Sequence, residues 1–164
     1  MGSAAQSAGF AGLLLANGII PGLAAFSRDA VLMALARHAE AELGIPAIIV
    51  NEALRTREAL GSTSFGGGVA IPHARLAGLD QCQAALARLP QPIDWQSSDR
   101  EQVDVVVLLL SPETAGSDHL KALARISRTL RDPATLPAIR AAADAAAIRA
   151  IITGDTRVSA KATA

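Results

Sequence analysis

Tyrosine is absent from this 164-residue chain, and tryptophan and cysteine occur once each. A lone Cys82 excludes a disulfide-stapled scaffold and any zinc site built from clustered cysteines. The whole aromatic inventory is Phe10, Phe26, Phe65 and Trp95, and 15 basic residues offset 15 acidic ones to a net charge of zero. With neither a basic footprint nor a stacking platform, a nucleic-acid partner is excluded. Long hydrophobic runs are also missing. Residues 8–26 are mostly apolar and uncharged, but Gly9, Gly12, Asn17, Gly18, Pro21 and Gly22 interrupt them. That leaves nothing of membrane-spanning length, so no membrane insertion is expected. No positive charge precedes the stretch, as a secretory signal would require, and Gln6 stands where a myristoylation motif wants Ser or Thr. A cytoplasmic protein with a flexible lead over residues 1–9 is the expectation. Lysine and histidine are scarce too: two Lys against thirteen Arg, and three His in all.

What is present is a large apolar fraction: 51% of residues are hydrophobic and only 18% charged. Such a chain can build a core, and its length predicts one domain rather than two. A short helix is predicted near residues 11–17, ending at Gly18 with Ile19-Ile20 extended. Ser27 is suited to cap a helix over about 28–43 that closes at Gly44, and Pro46 suits the first turn of a second helix running to Leu60 and Gly61. Strand signals follow at 69–76, 84–89 and 93–95. Val103 to Leu110 is all Val and Leu but for Asp104, the pattern of a central strand covered on both faces. A helix over about 118–131 with Leu120, Leu123, Ser127 and Leu130 on one stripe comes next. Two Ala-rich helices, at about 136–142 and 144–152, then lead to a cap at Gly154. The predicted class is α/β: a small mixed β-sheet flanked by helices in a single-domain sandwich over residues 10–154, with a flexible tail at 155–164.

The chemistry concentrates in Gly61-Ser62-Thr63-Ser64-Phe65-Gly66-Gly67-Gly68-Val69-Ala70-Ile71-Pro72-His73. A Walker A loop is excluded because no Gly-Lys-Ser/Thr follows, and a dinucleotide fingerprint would have to follow a strand and open a helix. What the segment offers is a run of glycine N–H groups and hydroxyls beside an imidazole whose backbone is stiffened by Pro72. Such N–H groups form anion-binding concavities. Two readings of the residues stand at this point: a phosphoryl group on or beside His73, or a tight turn with a surface histidine.

The run Arg57-Glu58-Ala59-Leu60-Gly61-Ser62-Thr63, followed by Gly66-x-Gly68-Val69-Ala70-Ile71-Pro72-His73, closely resembles the phosphotransferase-system enzyme IIA domain of the fructose, mannitol and nitrogen-regulatory type. Pro92-Ile93-Asp94, Val103-Asp104, Leu110-Ser111-Pro112-Glu113 and His119-Leu120-Lys121-x-Leu123-Ala124 extend the resemblance over roughly residues 10 to 154. It implies that His73 accepts a phosphoryl group from an HPr-like phosphohistidine donor, with no cofactor or metal. Neutral imidazole is nucleophilic near pH 7, and phosphoryl transfer is mostly positioning and electrostatics. It implies that His119 orients His73 or hydrogen-bonds the phosphoryl oxygens, and that Arg57 faces the cleft, where its fork of donors matches phosphate. Thr63 and Ser62 become candidate hydrogen-bond partners of the phosphate or of His73. Arg75 keeps a positive charge where the family often has Gly-Lys after the histidine. His38, at the edge of a helix stripe with Glu42 one turn on, reads as structural, and Cys82 as a small hydrophobe.

The segment Leu120–Arg128 and the loop Gly61-Ser62-Thr63 look more like the nitrogen-regulatory branch. Its output would be a regulatory target bound according to phosphorylation state. The alternatives are a stand-alone fructose-type IIA passing phosphate to a IIB domain, and a regulatory binding protein that works without phosphorylation.

Overall fold

The structure, a computed structural model, describes residues 9–154. The expected lead (all but its last residue) and the expected tail lie outside the described residues. Among the described residues are six strands and five α-helices: β1 Leu14–Ile20, α1 Arg28–Leu43, α2 Ala47–Ala59, β2 Ser64–Gly66, β3 Val69–Ala70, β4 His73–Leu76, β5 Gln83–Asp94, β6 Gln102–Pro112, α3 Ser117–Arg131, α4 Thr135–Ala141 and α5 Ala145–Thr153. They form one mixed sheet in the order β1-β5-β6-β3-β2, with β4 also pairing β6. Strand β6 runs antiparallel to β5 and parallel to β3 and β4, which makes it the central strand.

Alternation along β6 sorts the core into two layers, because successive side chains leave a strand on opposite faces. Val106, Leu108 and Leu110 pack with Leu32, Leu35, Val50 and Leu54 of α1 and α2. Val105, Val107 and Leu109 pack with Ile126, Leu130, Ile139 and Ile148 of the three C-terminal helices. Helices therefore cover both faces of the sheet, the α/β sandwich the composition predicts. Helix ends follow the cap chemistry. Ser27 accepts the Ala30 N–H at 3.1 Å, and Gly44 ends α1 in the left-handed conformation at φ 76°.

Four local expectations are corrected. Where a helix was predicted over about 11–17, a 3₁₀ turn at Ala11–Leu13 leads into a strand over Leu14–Ile20, in which Ile19-Ile20 are extended as expected. Parallel pairing with β5 decides the segment, and Asn17-Gly18, poor helix formers, offer little resistance to it. The predicted strand at 69–76 is interrupted at Ile71-Pro72, Pro72 having no N–H to give a ladder, and the glycine run before it makes a hairpin. Gly67 and Gly68 turn that hairpin between β2 and β3 with φ of 68° and 81°, the two-residue turn that needs left-handed backbone. Segments 84–89 and 93–95 join into the single strand β5, whose pairing with β6 shifts register between Arg88 and Ile93. In α3 the buried positions are His119, Ala122, Ile126 and Leu130, whereas Leu120 is 64% exposed. The buried stripe is rotated from the predicted one so that His119 turns inward.

A clamp outside the core fixes the glycine hairpin. Arg140 of α4 donates to Asp104 at 2.8 Å and to the Gly67 carbonyl at 2.6 Å. His38 has the structural role anticipated for it: it lies 2.6 Å from the Asn17 carbonyl and 3.9 Å from Glu42, tying α1 to β1.

Candidate active site

Three chain segments meet at the ends of β4 and β6. Strand β4 opens on His73, paired with Leu109, and places Arg75 beside Ser111. Period-two alternation puts His73, Arg75 and Ser111 on the same face of the sheet, the face covered by α3. The last turn of α2 contributes Arg57 and the first turn of α3 contributes His119. Together they line an open cleft of about 620 Å³ with Glu52, Thr56 and Leu60.

His73 is held by both ring nitrogens. Nδ1 lies 2.8 Å from the Ile71 carbonyl, an acceptor only, so Nδ1 carries the proton and donates. Nε2 keeps its lone pair and accepts from Arg57 Nε at 3.2 Å. Arg57 is itself anchored by Nη1 donating to the Gly61 carbonyl at 2.8 Å. Burial lowers the His73 pKa; the Ile71 carbonyl opposes that, the Arg57 charge adds to it, and Glu58 opposes it. His119 sits across the cleft with ring centroids 5.4 Å apart and the rings tilted by 54°. Its pKa falls to about 4, first through burial and then through His73 and Arg75. Both rings are thus neutral near pH 7: one offers a lone pair, and the other is free to act as a hydrogen-bond donor.

The site residues read from the sequence divide into two groups. His73, His119, Arg57 and Arg75 are brought together at the cleft. Thr63 and Ser62 are turned to local tasks. The Thr63 hydroxyl and N–H both donate to the buried Glu58 carboxylate, and Ser62 Oγ accepts the Ser64 N–H at 3.1 Å. Sequence reasoning missed Glu52, Thr56 and Ile49, which follow Arg57's face of α2 at helical spacing. That spacing, counted back from Arg57, was the available signal. It also missed Ser111, 2.7 Å from His119 Nδ1, although the stretch Leu110-Ser111-Pro112-Glu113 was part of the resemblance. Among the described residues, no cluster of His, Cys, Asp and Glu could hold a metal ion, and no helix is long and apolar enough to cross a membrane.

The cleft joins a nucleophilic imidazole, a second neutral imidazole and two guanidinium groups, a set that suits a transferring phosphoryl group. Residues 13–154 match the family model described as "Phosphoenolpyruvate-dependent sugar phosphotransferase system, EIIA 2", and the chain belongs to that family. It is a phosphotransferase-system component of the IIA type. Within the family it is similar to the nitrogen regulatory protein of Bradyrhizobium diazoefficiens, 46% identical over 140 residues that cover 85% of this chain and 92% of that one. The crystal structure of nitrogen regulatory protein IIA-Ntr from Neisseria meningitidis superposes with a TM-score of 0.82 at 30% identity, covering 87% of this chain and 98% of that one. A fructose-like EIIA component of Escherichia coli is 37% identical over 79 residues, 48% of this chain and 53% of that one.

Proposed function

We propose that the chain is a phosphoryl carrier in which His73 Nε2 attacks the phosphorus of an HPr-like phosphohistidine, with a regulatory output set by its phosphorylation state. The observation that carries this reading is the tautomer of His73. Its Nδ1–H is committed to the Ile71 carbonyl, and its Nε2 lone pair faces Arg57 in the cleft. In the transfer, the donor's N–P bond breaks and returns its electron pair to the donor imidazole as the Nε2–P bond forms. No proton has to move. The His73 ring gains positive charge, which strengthens its bond to the Ile71 carbonyl, and Nε2 ceases to be an acceptor. Arg57 Nε then turns to the phosphoryl oxygens, joined by His119 and Arg75, and preorganised donors of this kind stabilise charge as it develops. Exposed Leu60 and Ile49 in the cleft lining, at 82% and 50%, supply apolar area on which a protein donor can seat.

The nitrogen-regulatory reading is supported by the extent of the similarity, 85% of the chain at 46% identity. Transfer to a sugar-specific IIB domain is the second reading, favoured by the shorter match to a fructose-like component. Incubation with phosphoenolpyruvate, enzyme I and an HPr-like carrier should yield an acid-labile, base-stable label that His73→Ala abolishes. A label that persists in His73→Ala overturns the site. Chasing the label into a IIB domain favours the second reading, and partner capture that differs between His73→Ala and His73→Asp favours the regulatory one. Partner binding with no labelling at all would point to a phosphorylation-independent binding protein.

A further inference from the structure

Beside the cleft lies a polar chain that the proposed transfer does not use. Ser111, fully buried near the end of β6, places Oγ 2.7 Å from His119 Nδ1, and Cys82 Sγ donates to the same oxygen at 3.4 Å. Its direction follows from matching the stronger donor to the stronger acceptor. Nδ1 of a neutral imidazole either donates to Ser111 or accepts from it. If it donated, the hydroxyl's own O–H would have to turn to Cys82 Sγ, a weak acceptor. Among the described residues the structure gives Ser111 no further side-chain partner. If Nδ1 accepts, the hydroxyl proton meets the stronger nitrogen acceptor and the thiol gives its proton to the hydroxyl oxygen. His119 then carries its proton on Nε2, at the opposite edge of a ring that lines the cleft.

We infer that Ser111 is a positioning residue: its hydroxyl donates to His119 Nδ1, pins the ring, and presents Nε2–H to the phosphoryl group in the cleft. The inference rests on the reading of His73 as the phosphoryl acceptor. The other tautomer would turn a lone pair toward the phosphoryl oxygens and repel them. The low pKa of His119 makes the choice matter, because a ring neutral at pH 7 has one proton to place. A hydroxyl feeding an imidazole from behind is the arrangement by which one nitrogen's hydrogen bond sets the state of the other.

The test uses ¹⁵N-labelled protein without phosphorylation, so it is read independently of the proposed function. The His119 spectrum should show a protonated Nε2 and a hydrogen-bonded, unprotonated Nδ1. A protonated Nδ1 in the unmodified protein overturns the inference outright. Ser111→Ala should move the Nδ1 resonance toward that of an unbonded nitrogen. It should also slow phosphoryl transfer to His73 by roughly tenfold, less than the roughly hundredfold loss from deleting an oxyanion donor. Ser111→Thr, which keeps the hydroxyl, should restore both. An unchanged spectrum in Ser111→Ala, or a changed spectrum with an unchanged rate, overturns the positioning role. Should the unmodified protein take no label, the proposed function fails while the His119 spectrum still decides the hydrogen bond.

Discussion

Replacing Arg57 separates charge from geometry at the nucleophile. Its Nε donates to His73 Nε2 at 3.2 Å and its Nη1 to the Gly61 carbonyl at 2.8 Å, so the guanidinium is aimed before any phosphoryl group arrives. On transfer the Nε2 lone pair is consumed, and the same N–H must bond a phosphoryl oxygen instead. The interaction therefore strengthens toward the transition state, the condition for raising rate. A hydrogen bond to a charged group is worth about 1.5–3 kcal/mol. At 1.36 kcal/mol per decade this predicts a roughly 10- to 150-fold slower transfer for Arg57→Ala. The assay is single-turnover transfer from a labelled HPr-like carrier, followed by rapid quench. Arg57 also lowers the His73 pKa, so the titration of His73 in Arg57→Ala should move up toward 6.5, whereas Arg57→Lys keeps the charge and much of the depression. Lysine lacks the planar fork, and its rate should stay close to that of Arg57→Ala. Thermal stability should change by less than about 1 kcal/mol, because the anchoring bond lies on the exposed end of α2. A wild-type rate in Arg57→Ala, or a His73 pKa that falls, refutes the reasoning.

Five further outcomes follow from the structure. Because burial keeps His73 and His119 neutral, phosphoryl acceptance should hold steady as pH falls to 6.5 and decline only below it. In the window from 6.5 to about 4 the unfolded chain binds protons that folded His119 refuses, so stability should fall with pH, and melting curves of His119→Asn should fall less. Gly68→Ala requires a left-handed residue at φ 81° whose Cβ would sit 2.6 Å from Arg140 Nη2. About 1–2 kcal/mol is expected from the backbone alone, with a lowered melting temperature and a displaced Arg140–Asp104 clamp. Thr63→Val strips a hydroxyl donor from buried Glu58 and should cost about 1–3 kcal/mol by urea denaturation. Glu58→Gln, which removes a charge that raises the His73 pKa, should lower that pKa further.

The elements legible in the sequence were those whose signals are local. Ser27, Gly44 and Gly154 act as caps because capping needs only the residues beside it. The Val-Leu run of β6 announced a strand covered on both faces, and helices cover both. Residues 14–17 were misread as helix, though Ile19-Ile20 were expected extended, because the strand exists through pairing with β5, some seventy residues away. The predicted α3 stripe failed for a related reason. Counting leucines favours Leu120, but packing on the sheet buries His119 and Ala122 and leaves Leu120 exposed.

At the site the division is similar. Residue types and their order left His73 between two readings, and it was the resemblance to the enzyme IIA family that singled out His73, His119 and Arg57, with Arg75 keeping a positive charge beside them. The sequence could not say which nitrogen of His73 is free. That depends on the Ile71 carbonyl, whose direction is set where the chain breaks at Pro72 between β3 and β4. Nor could it tell that Thr63 would turn to Glu58 while Ser111 would reach His119. A hydroxyl's role depends on the one direction it points, and that direction is decided by strand register and helix rotation. The sequence by itself determined the chemical inventory; the fold decided which lone pairs and protons face the cleft, because hydrogen bonds are directional and composition is not.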